Sequence, residues 1–143
     1  MADSPVGLCA WILEKVWAWT DHSAGSSLPI PWDELLDNVS LYWFTNSGPS
    51  SIRLYNESIN EVNRWIKEEA GETVAAPMAG VVFPAEVPRV SRREAEQRFS
   101  NIIYWSEPSV GGHFAAWEQP EAFVREWRAS AAAWRATLGA PGT

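Results

Sequence analysis

Cysteine and histidine are scarce in this chain of 143 residues: one Cys, Cys9, and two His, His22 and His113. A lone thiol excludes an internal disulfide, and none of the three has a companion at metal-ligand spacing, so neither a metal nor a cofactor is expected. Apolar runs are short as well, and none approaches the ~20 residues needed to cross a bilayer. Met1-Ala2-Asp3-Ser4-Pro5 lacks the basic start and apolar run of a secretory signal, which makes cytoplasmic residence the expectation. Positive charge is the minority sign, 11 Lys and Arg against 18 Asp and Glu for a net charge of -7, leaving no basic footprint for nucleic acid or anionic lipid.

What is present is a globular composition, 46% hydrophobic and 20% charged, of a length that fits one domain. Ten tryptophans are unusual; such side chains line apolar pockets or fill cores, and the core is the expected place for most of them. Asp3-Ser4-Pro5 offers a cap and a first-turn proline, and Val6, Cys9, Leu13, Val16 and Trp17 follow at helical steps, so a helix should run to about Thr20. A turn-rich loop, His22 to Pro31, leads to a second helix over Trp32 to Phe44. After the break at Asn46-Ser47-Gly48-Pro49, the pattern predicts two short helices, Ser51 to Glu57 and Val62 to Ala70, with Gly71 as the stop.

From Thr73 the character changes. Met78 to Phe83 reads as a strand closed by Pro84, Ser91-Arg92-Arg93-Glu94 has the capping-box spacing for a helix to about Phe99, and Asn101 to Trp105 reads as a second strand. Strand, helix and strand in succession predict a right-handed parallel βαβ unit. Pro120 opens a last helix whose Phe123, Val124, Trp127, Ala131 and Trp134 form an apolar stripe ending at Gly139, with Ala140 to Thr143 frayed. Residues 1–72 are thus a helical segment and 73–139 a strand-helix-strand-helix segment of one α/β domain. Two parallel strands, apolar on both faces, make an incomplete sheet whose free edge expects neighbours, and self-association through that edge is an expectation.

Two ionisable groups follow these strands. His113, in Val110-Gly111-Gly112-His113-Phe114, lies at the C-terminal end of the second strand, where it reads as a general base or as a loop histidine satisfied by backbone. Glu86, just past the first strand, emerges at the same edge of the sheet; it reads as the carboxylate that orients an imidazole or as a solvated loop charge. Asp3, Asp21, Asp33 and Asp37 read as capping or solvated residues, His22 as a solvated loop residue, and Cys9 as a small thiol on the apolar stripe of the first helix.

Gly111-Gly112-His113-Phe114-Ala115-Ala116-Trp117-Glu118-Gln119-Pro120-Glu121 resembles the segment around the histidine of microsomal-type epoxide hydrolases. Phe83-Pro84-Ala85-Glu86 resembles that family's acid segment, and the 27-residue separation of Glu86 and His113 agrees with its spacing. Asp3 to Leu8, Trp11 to Lys15 and Asn38 to Tyr55 are similar to it as well, so the likeness spans nearly the whole chain. The resemblance implies the C-terminal part of an α/β-hydrolase fold, with residues 1–72 next to the lid. It implies hydrolysis of epoxides to vicinal diols through an ester intermediate: His113 as general base, Glu86 orienting it, and Tyr55 donating a hydrogen bond to the epoxide oxygen. On residue type alone, Tyr55 reads as a packed core residue.

The resemblance also implies an aspartate nucleophile, an oxyanion-hole segment and a second tyrosine, all from parts of the family that precede the matching portion. No two glycines stand four apart here, so the G-x-(Ser/Asp/Cys)-x-G elbow is excluded. The readings that remain are three. The chain is part of an epoxide hydrolase completed by an N-terminal half and taking a small apolar or aromatic epoxide; or a non-catalytic remnant or interaction module; or part of an esterase or dehalogenase of the same fold.

Overall fold

The structure is a computed structural model that describes residues 2–23, 25, 27–67 and 73–139. These residues fall into two compact units, one drawn from residues 2–18 and 30–67, the other from 19–29 and 73–139. Among the described residues no helix is long and apolar enough to cross a membrane.

The first unit is helical. Helix α1 (Pro5–Trp19) starts where its cap dictates: Ser4 Oγ accepts the Gly7 N–H at 3.0 Å, and Pro5 occupies a position where its missing donor is harmless. Helix α2 (Trp32–Phe44) carries Asp33 and Glu34 in its first turn, opposite in sign to the helix N-terminus, and buries Leu35 and Val39. Leu8, Val16 and Ile30 are the other buried hydrophobic side chains of this unit. Asn46, at φ 52°, then redirects the chain into helix α3 (Gly48–Lys67). The pattern predicted two short helices here, and there is one. No glycine or proline interrupts residues 50–67, and a helix once nucleated propagates at little cost. Arg53 and Glu57, an ion pair at 2.8 Å with i,i+4 spacing, add local support. The end of the second predicted helix with its stop at Gly71, and the fraying of residues 140–143, lie outside the described residues.

In the second unit β1 (Met78–Val81) and β2 (Ile102–Ser106) pair in parallel, Ala79 opposite Tyr104 and Val81 opposite Ser106. The predicted βαβ order holds, with β1 and the helix shorter than expected and β2 of the expected length but one residue further on. α4 (Arg92–Ala95) has the expected reciprocal bonds between Ser91 and Glu94 but stops well before Phe99. After it the chain turns so that Ser100 N–H reaches Val74 O at 3.1 Å and Val74 N–H reaches Arg98 O at 2.7 Å. Between α4 and that pairing the backbone keeps turning, with Arg98 N–H on Ala95 O at 3.0 Å and Phe99 N–H on Ala95 O at 2.8 Å, and pairing with the segment before β1 ends it at Phe99. A single-turn helix, α5 (Ala115–Glu118), was not anticipated; α6 (Pro120–Gly139) starts and ends as expected.

Phe83, Ala115 and Ala122 form a buried cluster with Val81 packed against it, which ties the end of β1 to α5 and α6. Tyr104 on β2 donates its hydroxyl to Glu126 Oε2 on α6 at 2.7 Å. That bond lowers the Glu126 carboxyl below its ordinary pKa and raises the Tyr104 phenol above its own. All five residues of β2 are half-buried, as an incomplete sheet leaves them. One expectation is corrected here. None of the tryptophans whose side chains are described is buried, and the α6 stripe is open, Trp127 at 66%. The physical reason is that α6 turns Ala122 toward Phe83 and Ala115 and Glu126 toward Tyr104, and the tryptophans lie off that inward face.

Candidate active site

Glu86 and His113 are brought together. Past the end of β1 the chain stays beside its partner, with Ala85 bridged to Gly112 and Ala85 N–H donating to Gly111 O at 3.1 Å. The next residue, Glu86, thereby arrives next to His113, and Glu86 Oε1 stands 2.6 Å from His113 Nδ1. The same oxygen accepts the Val87 N–H at 2.8 Å, which fixes the carboxylate on its own loop. A carboxylate accepts, so Nδ1 carries the proton and Nε2 is left as the basic nitrogen. Glu86 and His113, with side chains 29% and 39% exposed, line an open cavity of about 360 Å³ together with Phe83, Phe114, Trp117 and Phe123.

The imidazole is held from its flanks by aromatic rings. Trp19 lies edge-on to it at 5.1 Å between centroids, Phe114 does the same at 5.1 Å, and Trp19 stacks on Phe114 at 6.4 Å. The backbone beneath the ring needs both glycines. Gly111 has φ +113°, a conformation that side chains rarely adopt, and a Cβ on Gly112 would stand 2.5 Å from Trp19 O. That close approach lets His113 N–H donate to Trp19 O at 2.9 Å.

Two carboxylates complete the support. Asp21 Oδ2 accepts the Gly111 N–H at 2.7 Å and its Oδ1 accepts the Ser23 N–H at 2.8 Å. The Gly111 amide first, then Ser23, holds the Asp21 carboxyl below its ordinary range. Glu118, 7% exposed, accepts the Asp21 N–H on Oε2 at 2.7 Å and the Phe114 N–H on Oε1 at 3.0 Å. The sequence reading missed both. Asp21 was expected to cap or to be solvated, and its partner lies 90 residues away. His22 is likewise not a free surface residue: it is half-buried, with Nε2 3.2 Å from Thr20 Oγ1.

Tyr55 belongs to the helical unit, on α3. It is 45% exposed rather than packed into a core, with the Trp11 ring edge-on at 6.3 Å. Trp11 in turn carries Lys15 Nζ 4.1 Å above its ring. Cys9 lines an apolar groove with Val6, Leu13 and Val39, as its place on the α1 stripe implied. Among the described residues no group of three or more His, Cys, Asp or Glu side chains is placed to hold a metal ion.

No protein-family model matches the chain. A putative epoxide hydrolase of Stigmatella aurantiaca is 44% identical over 128 residues, 90% of this chain and 28% of that protein. Epoxide hydrolase 1 of Sus scrofa is 36% identical, over 88% of this chain and 29% of that one. Among solved structures, the juvenile hormone epoxide hydrolase of the silkworm Bombyx mori superposes with a TM-score of 0.81 at 30% identity, over 96% of this chain and 34% of that chain. The chain thus spans less than a third of the length of the curated relatives it matches. By sequence and by structure the chain matches the C-terminal portion of epoxide hydrolases of the α/β-hydrolase fold.

Proposed function

We propose that this chain supplies the hydrolytic half of an epoxide hydrolase site, with His113 as the base that activates water, Glu86 orienting it and Tyr55 donating to the epoxide oxygen. The observation that carries the reading is the 2.6 Å contact between Glu86 Oε1 and His113 Nδ1 at an open cavity. In this scheme an aspartate carboxylate, supplied by polypeptide other than these 143 residues, attacks an epoxide carbon and opens the ring. The developing alkoxide takes a hydrogen bond from the neutral Tyr55 phenol, which suits an apolar pocket because it brings no charge. Water then gives one proton to His113 Nε2 and its oxygen adds to the ester carbonyl; collapse expels the alkyl oxygen and restores the carboxylate, and both water protons, one of them returned by the His113 imidazolium, end on the two oxygens of the diol. Glu86 stabilises the imidazolium that forms in that step.

The aromatic lining of the cavity, Phe83, Phe114, Trp117 and Phe123, supports an apolar or aromatic epoxide as substrate. The relatives' names favour an epoxide over an ester or a carbon–halogen bond. A role in detoxification and a cytoplasmic location belong to the same proposal, and cell fractionation tests the second. The test of the chemistry is turnover of an aryl epoxide by this chain with and without a co-expressed N-terminal half that carries the aspartate. Diol formation only in the mixture is expected, and the lack of both turnover and association would overturn the proposal.

A second reading, a non-catalytic interaction module, is favoured by the open tryptophan stripe of α6 and by the sheet, which among the described residues has two strands and unpaired edges. On that reading the chain self-associates or binds a partner without turnover, and sizing of the isolated chain tests it. A monomer that binds no hydrophobic dye would exclude it.

A further inference from the structure

The residues that hold the His113 backbone are as specific in their geometry as the Glu86 contact. Of the four residues 111–114, three have amides held by other groups: Gly111 by Asp21 and His113 by Trp19 O, from a segment about 90 residues earlier, and Phe114 by Glu118 four residues on. The fourth, Gly112, is bridged to Ala85. Asp21 and Glu118 are themselves joined through the Asp21 N–H, so they form one support, with each carboxylate accepting two amide donors on its two oxygens. A loop with two adjacent glycines loses more conformational freedom on ordering than any other, so it holds one geometry only when it is anchored.

We propose that Asp21 and Glu118 are positioning residues for His113: they fix residues 111–114 so that the imidazole presents Nδ1 to Glu86. The inference rests on the reading of Glu86 and His113 as a working pair, and it adds two residues to which the chemistry had assigned nothing. Carboxylates suit the task because each oxygen of an ionised group accepts; the amide of Asn or Gln offers one acceptor and turns its NH2 toward the second donor. Hydrogen bonds to an ionised acceptor are also the stronger kind. Glu118 is 7% exposed with both oxygens on backbone N–H groups, an arrangement that desolvation would penalise unless those bonds are kept. The bond that depends on the support is short, 2.6 Å, and a drift of the loop of about 1 Å would take it beyond hydrogen-bond range.

The chain contains two histidines, so ring-15N-labelled protein gives an NMR spectrum in which the His113 Nδ1 proton can be assigned directly. The expected result is a downfield, slowly exchanging Nδ1–H in the unsubstituted chain, lost in Glu86→Gln. It is also lost in Asp21→Asn and Glu118→Gln, while the far-UV circular dichroism of those two is unchanged. Absence of the signal from the unsubstituted chain would overturn the Glu86–His113 pair and this inference with it. A signal that is lost in Glu86→Gln but kept in folded Asp21→Asn or Glu118→Gln would leave the pair standing and overturn the positioning role of that residue. Should either variant unfold, hydrogen exchange on the unsubstituted chain decides: the Gly111, His113 and Phe114 amides are expected to be as protected as those of β2. Exchange as fast as in residues 107–110 would overturn the proposal.

Discussion

Replacing Gly112 by alanine puts a Cβ where the backbone of another segment already lies, 2.5 Å from Trp19 O, 3.0 Å from Asp21 N and 3.0 Å from Glu118 Oε1. Two of those three atoms are main chain, so no rotamer change relieves the contact. Ordinary carbon contacts lie near 3.5 Å, so the histidine loop and the segment at Trp19 must separate by about 1 Å. That motion stretches the His113 N–H to Trp19 O bond, 2.9 Å at rest, past useful length. Overpacking of this kind costs about 1–3 kcal/mol and the lost hydrogen bond about 1 kcal/mol, so roughly 2–4 kcal/mol is expected. With a urea dependence of about 1–3 kcal/mol per molar, the unfolding midpoint should fall by at least about 0.7 M. Gly139→Ala is the control, since a Cβ there meets nothing within 4 Å, and it should leave the midpoint where it was or raise it slightly. The assay is equilibrium urea unfolding followed by tryptophan fluorescence on the three proteins side by side. If Gly112→Ala proves as stable as Gly139→Ala, the packing of the histidine loop described above is wrong.

His113→Ala, in the chain completed by a nucleophile-bearing half, should still open the epoxide but fail to release diol. Mass spectrometry of the mixture should then find the ester, and diol release at the normal rate would refute the role of the base. Tyr55→Phe removes one donor from the alkoxide and should slow ring opening by roughly 10²-fold in single-turnover kinetics. Tyr104→Phe leaves the buried Glu126 carboxylate without its 2.7 Å partner and should cost about 1–3 kcal/mol in urea unfolding. Asp21 makes an acid prediction. Its folded pKa lies below the ordinary 3.8, through the Gly111 amide first, so its contribution is present above the unfolded value and is lost as pH falls through the folded one. Stability should therefore drop below about pH 4, and Asp21→Asn should flatten that drop in pH-dependent unfolding.

How much of this was legible in the sequence depends on the range of the signal. α1, α2 and α6 carry local markers, Ser4 and Pro5, Asp33 and Glu34, Pro120 and Gly139, and each begins and ends close to where those markers put it. The capping box at Ser91 and Glu94 formed, but the end of the turns after it was decided by Val74, a residue no local pattern connects to it. The stretch Asn56 to Glu61, polar except for Ile59, imitated a loop, and the chain kept helical there because nothing in it breaks a helix. The tryptophan stripe of α6 shows the opposite error. Its periodicity is real, but a period says that a face is apolar and not that this chain covers it.

The site divides in the same way, and the division says where the missing information sits. Glu86 and His113 were readable because two strand ends deliver them, and parallel pairing fixes which residues meet beyond the last hydrogen-bonded pair. Glu118 was half-readable: it stands four residues after Phe114, the spacing at which a side chain on one helical turn reaches back to the first amide, and it does so at 3.0 Å. Asp21 was not readable at all, since a turn-rich segment between two helices gives an aspartate no reason to be anything but a local cap. Its Oδ1 does make the local bond, to Ser23, and its Oδ2 the distant one, to Gly111. One carboxylate therefore closes its own turn and, with the same group, ties that turn to the histidine loop. The local reading was correct for one oxygen and silent on the other, and the silent oxygen is the one that holds the Gly111 amide beside His113.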